Sequence, residues 1–197
     1  MTANESHGRL AALHGLDDKR VDRVLEDAVR TLQATGYRVG GYLQRLAPAQ
    51  GNCCAPMYLE HVETGEWSCI SQPLGVGARG CRLDPRALAA LSTCLLAELD
   101  TGMQLLVLNR FGKGESEGHG FRAVIEKAFQ NGVPVLTAVR PGYLQAWRDF
   151  GGDYAQDLPL DGGHGLAWCL SALNGHRAAP LTAAAALTDY LQPSGVQ

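Results

Sequence analysis

Residues 105–115 have the sequence Leu105-Leu106-Val107-Leu108-Asn109-Arg110-Phe111-Gly112-Lys113-Gly114-Glu115. The first four residues are apolar without polar alternation, which predicts a strand buried on both faces of a parallel sheet. In open α/β sheets, ligands bind in the loop that leaves the carboxyl end of such a strand. Here that loop contains an amide, two cations and glycines that let backbone N–H groups approach a ligand. These groups suit the binding of an anion, and the alternative interpretation is a solvated turn that is basic by chance.

Strand and helix signals alternate on both sides of this stretch. Apolar runs predict further strands over residues 9–14, 37–46 and 133–139. Amphipathic spacing predicts helices over residues 18–36, from Asp84-Pro85, over residues 121–132, near Trp147 and over residues 183–191. This alternation predicts an α/β fold in which a mostly parallel sheet carries helices on both faces.

The composition limits the class of protein. The chain has 197 residues, of which 46% are apolar and 19% charged, and this fits a single α/β domain over residues 1–197. The net charge of −3 gives no support to nucleic-acid binding. No apolar run has the length of a signal peptide or of a membrane span, so we expect a cytoplasmic protein. A homo-oligomer is compatible with this composition.

Two segments depart from the regular alternation. Residues 47–83 are rich in cysteine and glycine and are predicted to be an insertion with a hairpin around residues 63–66. Residues 152–197 carry weaker signals and are predicted to form a peripheral C-terminal segment. In a cytoplasmic protein the six cysteines should be mostly reduced, and we expect Cys94 and Cys169 to be packing residues.

Three cysteines of the insertion, Cys53, Cys54 and Cys81, form a second candidate site. Adjacent cysteines lack the Cys-x-x-Cys spacing of a zinc knuckle, so the spacing gives only weak support for zinc. Cys81 lies between Arg79 and Arg82 and just before a predicted helix, a setting that lowers the pKa of an exposed thiol. The three thiols are therefore candidates for metal ligation or thiol chemistry, with structural packing as an equal alternative.

The loop after the first predicted strand differs from a phosphate loop. Its sequence is His14-Gly15-Leu16-Asp17-Asp18-Lys19-Arg20, whereas the phosphate loop has the pattern Gly-x-x-x-x-Gly-Lys-Ser/Thr. It has one glycine, no hydroxyl, and two aspartates where phosphates would have to lie. At the end of the central strand, Asn109 occupies the place of a magnesium-binding aspartate. Both differences argue against ordinary magnesium-dependent hydrolysis of nucleoside triphosphates.

Four segments resemble a known bacterial family, the domain of unknown function 2478 family. They are Ile70-Ser71-Gln72-Pro73-Leu74-Gly75, Gly80-Cys81-Arg82-Leu83-Asp84-Pro85, Asn109-Arg110-Phe111-Gly112-Lys113 and Ala138-Val139-Arg140-Pro141. The resemblance extends over roughly residues 37–150. It implies a degenerate P-loop NTPase-like fold and an association with molybdate-transport genes. It supplies no established reaction and no catalytic residue.

The predicted parallel sheet brings several polar segments to one edge. The carboxyl ends of its strands lead into residues 14–19, Arg45, residues 109–113 and Arg140. Most of these side chains are hydrogen-bond donors, which suit a tetrahedral oxyanion or a phosphate. Molybdate or tungstate would fit such a site without a metal cofactor, and a nucleotide is the other candidate ligand. The alternative role for Arg140 is an ion pair with Glu115 or Glu117.

The candidate anion- or nucleotide-binding residues are Asn109, Arg110, Gly112, Lys113, Arg140, Lys19, Arg79 and Arg82. We rank a binding protein for a small anionic ligand first, acting in molybdate or tungstate supply or storage without ordinary Mg-NTP hydrolysis. An atypical nucleoside triphosphatase that uses Lys19 and the loop of Arg110 and Lys113 ranks second. A metal-binding or redox module built on the cysteines ranks third. Enzymatic activity is thus not the favoured hypothesis.

Overall fold

The computed structural model describes residues 9–46, 56–72, 83–160 and 163–177. Its strands are β1 (Leu10–His14), β2 (Val39–Leu46), β3 (Met57–His61), β4 (Trp67–Cys69), β5 (Leu105–Leu108), β6 (Val135–Val139) and β7 (Ala155–Pro159). Its helices are α1 (Asp18–Ala34), α2 (Pro85–Glu98), α3 (Lys113–Ser116), α4 (Arg122–Gln130), α5 (Leu144–Gly151) and α6 (His164–Arg177). Short 3₁₀ turns follow α2, β6 and α5.

The described strands form a single mixed sheet in the order β4-β3-β2-β5-β6-β1-β7. From β2 to β7 all neighbours are parallel, whereas β3 and β4 add to one edge as an antiparallel hairpin. Strand β5 lies between β2 and β6, and its four residues are all buried. The predicted α/β fold with a mostly parallel sheet is therefore confirmed, and β3 and β4 form the hairpin predicted around residues 63–66.

Helices cover both faces of the sheet and create two separate apolar layers. Buried residues of α1 and α6 pack on one face, against alternate residues of β1, β5 and β6. Buried residues of α2, α4 and α5 pack on the other face with the remaining residues of those strands. The central strands are buried on both sides because each is covered by a helical layer, which is why they lack polar alternation.

Helix α2 begins as its sequence predicts. The Asp84 carboxylate accepts hydrogen bonds from the backbone N–H groups of Arg86 and Ala87, and Pro85 occupies the first helical turn. Cysteine packing is mixed, because Cys169 is fully buried in α6 while Cys94 is exposed on α2. Burial raises the pKa of the Cys169 thiol to about 12. The prediction of a packing role is wrong for Cys94, whose helical position faces solvent.

One strand of the sheet was not predicted from the sequence. Residues 155–159 form β7, which pairs in parallel with β1 at the sheet edge, opposite the hairpin. Its residues are only partly buried, and it includes Gln156 and Asp157, so it lacks the continuous apolar run of the central strands. The boundaries proposed for the domain, the insertion and the C-terminal segment stay predictions. The predicted helix over residues 183–191 lies outside the described residues.

Strand β2 approaches β5 more closely than a side chain would allow. Gly41 has a φ of +121°, and it is the register partner of Val107 in β5. A Cβ atom added at Gly41 would lie 1.9 Å from the carbonyl oxygen of Val107. The pairing of β2 with the central strand therefore requires glycine at this position.

Candidate anion-binding site

The loops after β1 and β6 diverge to opposite faces of the sheet. Strand β1 leads into α1 on one face, whereas its neighbour β6 leads into α5 on the other. In open α/β sheets, ligands bind beyond the carboxyl ends of strands at such a divergence. The ends of β5 and β6 and the first turns of α1 supply the side chains at this place.

The loop between β1 and α1 is short and acidic. Only Gly15, Leu16 and Asp17 separate the strand from the helix. The Asp17 carboxylate accepts a hydrogen bond of 3.0 Å from the backbone N–H of Arg20, and so caps the helix. Three residues are too few to wrap a phosphate as a Gly-x-x-x-x-Gly-Lys-Ser/Thr loop does. The residues at this helix start therefore do not fit a magnesium nucleotide held in the ordinary way.

Two arginines from neighbouring strand ends meet on one carboxylate of α1. Arg110, beyond β5, has its Nη1 atom 3.2 Å from Oδ1 of Asp18. Arg140, beyond β6, donates from Nε to the same oxygen at 3.2 Å, and its Nη2 donates to Oδ2. The arginine side chains differ in exposure, at 15% for Arg110 and 53% for Arg140. The convergence of two guanidinium groups on one carboxylate is the main geometric feature of the site.

A second carboxylate lies one helical turn further along α1. Oδ1 of Asp22 is 3.1 Å from Nη2 of Arg110 and accepts a hydrogen bond of 3.3 Å from Nδ2 of Asn109. The Asn109 side chain is buried, and its Oδ1 atom has no hydrogen-bond partner among the described residues. Below, the switch-point cluster denotes the five side chains of Asp18, Asp22, Asn109, Arg110 and Arg140.

The acidic stripe of α1 continues beyond the switch-point cluster. Asp18, Asp22 and Glu26 are spaced four residues apart and so lie on one side of the helix. Glu26 accepts from Nη1 of Arg45 at 3.2 Å, and Arg45 also donates to Glu60 on β3. Asp18, Asp22 and Glu26 thus each contact at least one arginine from β2 or from the ends of β5 and β6. Of the cations predicted to bind an anion, Arg110 and Arg140 are already paired with carboxylates of α1.

The two aspartates have opposite pKa shifts. Partial burial works against ionisation of Asp18, but the hydrogen bond from Arg140 and the charges of Arg110 and Arg140 outweigh it, so its pKa is lowered. Burial dominates at Asp22 and raises its pKa in spite of Arg110 and Asn109. Burial also lowers the pKa of Arg110, although both aspartates oppose that shift. Perturbed pKa values of this kind concentrate at functional sites.

These opposite shifts predict opposite effects of two matched substitutions on stability. At pH 7, Asp18→Asn should lower the free energy of unfolding by at most about 1 kcal/mol, because a half-exposed ion pair is lost. Asp22→Asn should raise the melting temperature at pH 7, because it removes an ionised carboxylate that the folded state disfavours. A change of about 1 kcal/mol in the free energy of unfolding corresponds to a shift of roughly 2–4 °C in the melting temperature of a domain of this length. Denaturant and thermal unfolding of both variants would measure them.

The sign of each effect also fixes its pH dependence. The contribution of Asp18 is present above the ordinary aspartate pKa, about 3.9, and is lost as pH falls through its lowered pKa. The penalty from Asp22 appears as pH rises through its raised pKa, so the gain of Asp22→Asn should vanish in acid. Melting-temperature shifts of the same sign in both variants at pH 7 would contradict this account.

The structure separates some predicted site residues from the switch-point cluster. Lys113 is paired with Glu117 at 3.8 Å on α3, and Lys19 is exposed on α1. The backbone N–H of Gly112 donates to Glu115, and none of the bonds described for Gly112 or Lys113 reaches Arg110 or Arg140. The roles of Lys19, Gly112 and Lys113 in binding stay predictions.

The alternative partner suggested for Arg140 is wrong. Arg140 pairs with Asp18 rather than with Glu115 or Glu117. The buried Glu115 carboxylate instead accepts the backbone N–H groups of Gly112 and Phe121, both at 3.0 Å. It thereby ties together the two ends of the loop around α3, where these amides would otherwise lack partners.

The cysteine site lies outside the described residues. Cys53, Cys54, Cys81, Arg79 and Arg82 all fall in the ranges that the structure does not describe. Within the described ranges, no three His, Cys, Asp or Glu side chains are grouped so that they could hold a metal ion. The metal and thiol hypotheses for these cysteines stay predictions.

Asp18 and Asp22 were not among the site residues predicted from the sequence. Asp17 and Asp18 were considered only as an obstacle to phosphate, and Asp22 and Glu26 were not considered. The four-residue spacing of Asp18, Asp22 and Glu26 was the signal that could have identified a single acidic stripe. The stripe lies on α1, the helix that follows the carboxyl end of β1, and there it contacts the arginines Arg110 and Arg140 at the neighbouring strand ends.

Comparisons with known proteins give a family and one named relative. The family model described as "Protein of unknown function (DUF2478)" matches residues 10–168. The chain is 35% identical over 150 residues to "Molybdenum import ATP-binding protein ModC 2" of Bradyrhizobium diazoefficiens. The match covers 76% of this chain and 17% of the relative, so the chain spans about a sixth of that protein's length. No solved structure matches the chain. The sheet and the ATP-binding relative agree on a P-loop NTPase-like fold.

Proposed function

This chain belongs to the family described as Protein of unknown function (DUF2478), and we propose that it is a non-hydrolytic accessory protein of molybdate handling. In this proposal it binds a tetrahedral oxyanion, such as molybdate or tungstate, or the phosphate of a nucleotide at the switch-point cluster. The molybdate context rests on the name of the relative, a molybdenum import ATP-binding protein. The binding site rests on the geometry of Arg110 and Arg140.

The observation that supports the site is the shared carboxylate of Asp18. Guanidinium groups bind carboxylates and tetrahedral oxyanions through the same charge-assisted hydrogen bonds. The Asp18 side chain is 42% exposed and belongs to the first turn of α1, so a ligand can replace it without opening the core. An oxyanion with two negative charges and four oxygens offers the two arginines more acceptors than one carboxylate. In the proposal, Asp18 holds the arginines in place until the ligand displaces it.

Titration calorimetry with molybdate, tungstate, phosphate and ATP tests the proposal directly. Arg140→Ala should weaken binding by at least about tenfold, because one of the two guanidinium groups is removed. Arg148→Ala is the matched control, since that arginine is 52% exposed and pairs with Asp157 away from the switch-point cluster. An equal loss in both variants, or no binding to the wild-type protein, would rule out this site.

A second variant should act in the opposite direction. Asp18→Asn removes the carboxylate that competes with the ligand and leaves a side chain of nearly the same shape. We expect anion affinity to rise by about tenfold, which corresponds to about 1.4 kcal/mol. An affinity that falls in Asp18→Asn would show that the carboxylate takes part in binding rather than competing with it.

Nucleotide hydrolysis is the competing function, and it is tested because the relative is named as an ATP-binding protein. The three-residue loop before α1 and the acidic first turn of that helix give little support to a bound triphosphate. We therefore expect no phosphate release above a buffer blank when ATP or GTP is added with magnesium. Release that depends on Lys19 or Arg110 would favour the atypical nucleoside triphosphatase instead.

The proposed setting of the protein follows from the same relative. In Bradyrhizobium diazoefficiens the matched region is a small part of a long chain named as a molybdenum import ATP-binding protein. We infer that this chain acts beside such a protein, in the cytoplasm and without nucleic acid. Of the helices that the structure describes, none is long and apolar enough to cross a membrane.

A further inference from the structure

Asn109 presents an unused acceptor inside the switch-point cluster. The residue is 6% exposed, and its Oδ1 atom is buried without a hydrogen-bond partner among the described residues. Buried carbonyl oxygens are nearly always paired, because an unpaired one costs free energy in the folded state. An unpaired acceptor beside two arginines therefore points to a ligand that brings a donor of its own.

The orientation of this amide is fixed by its neighbour. Nδ2 of Asn109 donates to Oδ1 of Asp22 at 3.3 Å. Reversing the amide would place its carbonyl oxygen against the carboxylate, where two acceptors would face each other. The carbonyl oxygen thus remains the atom that has no partner, and Asp22 supplies a second acceptor next to it.

We propose that the switch-point cluster selects a phosphate group that carries a proton over sulfate and molybdate, which carry none. This inference rests on the proposed function, because it names the ligand class of the same site. The protein would then respond to inorganic phosphate within molybdate handling, rather than hold molybdate itself.

The chemistry of the three anions separates them at this site. Arg110 and Arg140 donate to negatively charged oxygens, and all three anions provide those. Asn109 Oδ1 and Asp22 accept, and only a protonated phosphate offers them a hydroxyl group at neutral pH. Sulfate and molybdate would place unprotonated oxygen atoms against these two acceptors. The acceptors would then have no hydrogen-bond donor and would repel the negatively charged oxygen atoms of the anion.

The expected discrimination is large because the Asn109 acceptor is buried and the Asp22 side chain is only 23% exposed. Sites built to hydrogen-bond one ligand group reject analogues that lack it, since their own polar groups are then left without partners. One unmatched hydrogen bond is worth roughly a tenfold to hundredfold difference in affinity. We expect phosphate to bind at least about tenfold more tightly than sulfate or molybdate.

Calorimetric titration of inorganic phosphate, sulfate and molybdate at pH 7 and matched ionic strength tests this selectivity. A fourth titration with adenosine monophosphate is a contrast, because a phosphate monoester has a second pKa of about 6, carries almost no proton at pH 7 and should bind as weakly as sulfate. Equal affinities for phosphate, sulfate and molybdate, all weakened in Arg140→Ala, would overturn the inference and leave the proposed function standing. Failure of every anion to bind would overturn both.

Two variants locate the selectivity within the switch-point cluster. Asn109→Ala removes the unused acceptor, so the ratio of phosphate to sulfate affinity should fall to within about threefold of unity. Asp22→Asn replaces an acceptor by a group that can donate, and should lower the same ratio even if Asn109→Ala fails to fold. Arg140→Ala is the contrast, since it should weaken both anions and leave their ratio near the wild-type value. The assignment would be overturned if Asp22→Asn leaves the ratio of phosphate to sulfate affinity unchanged and Asn109→Ala either leaves it unchanged or does not fold.

Discussion

Gly41→Ala should destabilise the protein by at least about 4 kcal/mol, a loss that few single substitutions reach. An added Cβ would lie 1.9 Å from the carbonyl oxygen of Val107 and 2.8 Å from its carbonyl carbon, and neither backbone atom can move alone. Relief requires β2 to shift away from β5, which breaks the parallel pairing beside the central strand. Since domains are stable by about 5–15 kcal/mol, this single substitution should remove a large part of the total stability.

Denaturant unfolding followed by circular dichroism measures this loss. Gly36→Ala is the matched control, because Gly36 also has a positive φ, +87°, but nothing lies within 4 Å of its added Cβ. That control carries only the strain of a left-handed residue, roughly 1–2 kcal/mol. Similar losses in the two variants would mean that strain, and not the contact with β5, explains the glycine.

Phe111→Ala should lower the free energy of unfolding by about 3–5 kcal/mol, the usual range for a large buried aromatic residue. The side chain is 1% exposed, and its ring centroid lies 5.4 Å from that of Trp147 and 5.5 Å from that of Phe150. The backbone N–H of Phe111 also donates to Ala138 at 2.8 Å, next to the end of β6. At roughly 2–4 °C per kcal/mol, the melting temperature should fall by about 6–20 °C.

This substitution should also affect the site, because Phe111 anchors the loop that carries Arg110. A loosened loop would separate the two guanidinium groups, so anion affinity should fall even below the melting temperature. Trp67→Ala is the control, as that aromatic residue is 51% exposed at the hairpin edge and should cost less than about 1 kcal/mol. A loss in Phe111→Ala as small as in Trp67→Ala would contradict the anchoring role.

The parts of the fold that could be predicted are those whose signal is local. Residues 105–108 are apolar throughout because helices cover both faces of the central strand, and that pattern is visible in four residues. The start of α2 follows from Asp84 and Pro85 alone. Strand β7 gives no such signal, because it forms through pairing with β1, whose residues lie more than a hundred positions away.

The candidate site shows the same division. The meeting of Arg110 and Arg140 follows from parallel topology, since both residues leave the carboxyl ends of neighbouring strands. The carboxylate partners of these arginines could not be predicted from the topology. Asp22 and Arg110 are 88 positions apart in the sequence, and Asp18 and Arg140 are 122 positions apart. Which carboxylate meets which guanidinium depends on how α1 lies on the sheet, and no local pattern encodes that placement.

The pairing of Asp18 and Asp22 with Arg110 and Arg140 has a consequence for kinetics. Two positive and two negative charges cancel within the switch-point cluster, and the whole chain has a net charge of −3. An approaching anion therefore meets no long-range attraction, and its association rate should rise slightly with ionic strength as repulsion is screened. Most anion-binding proteins with exposed basic patches behave in the opposite way, capturing ligands fastest at low salt. In the proposed binding mode, recognition begins only on contact, when the ligand exchanges places with a carboxylate.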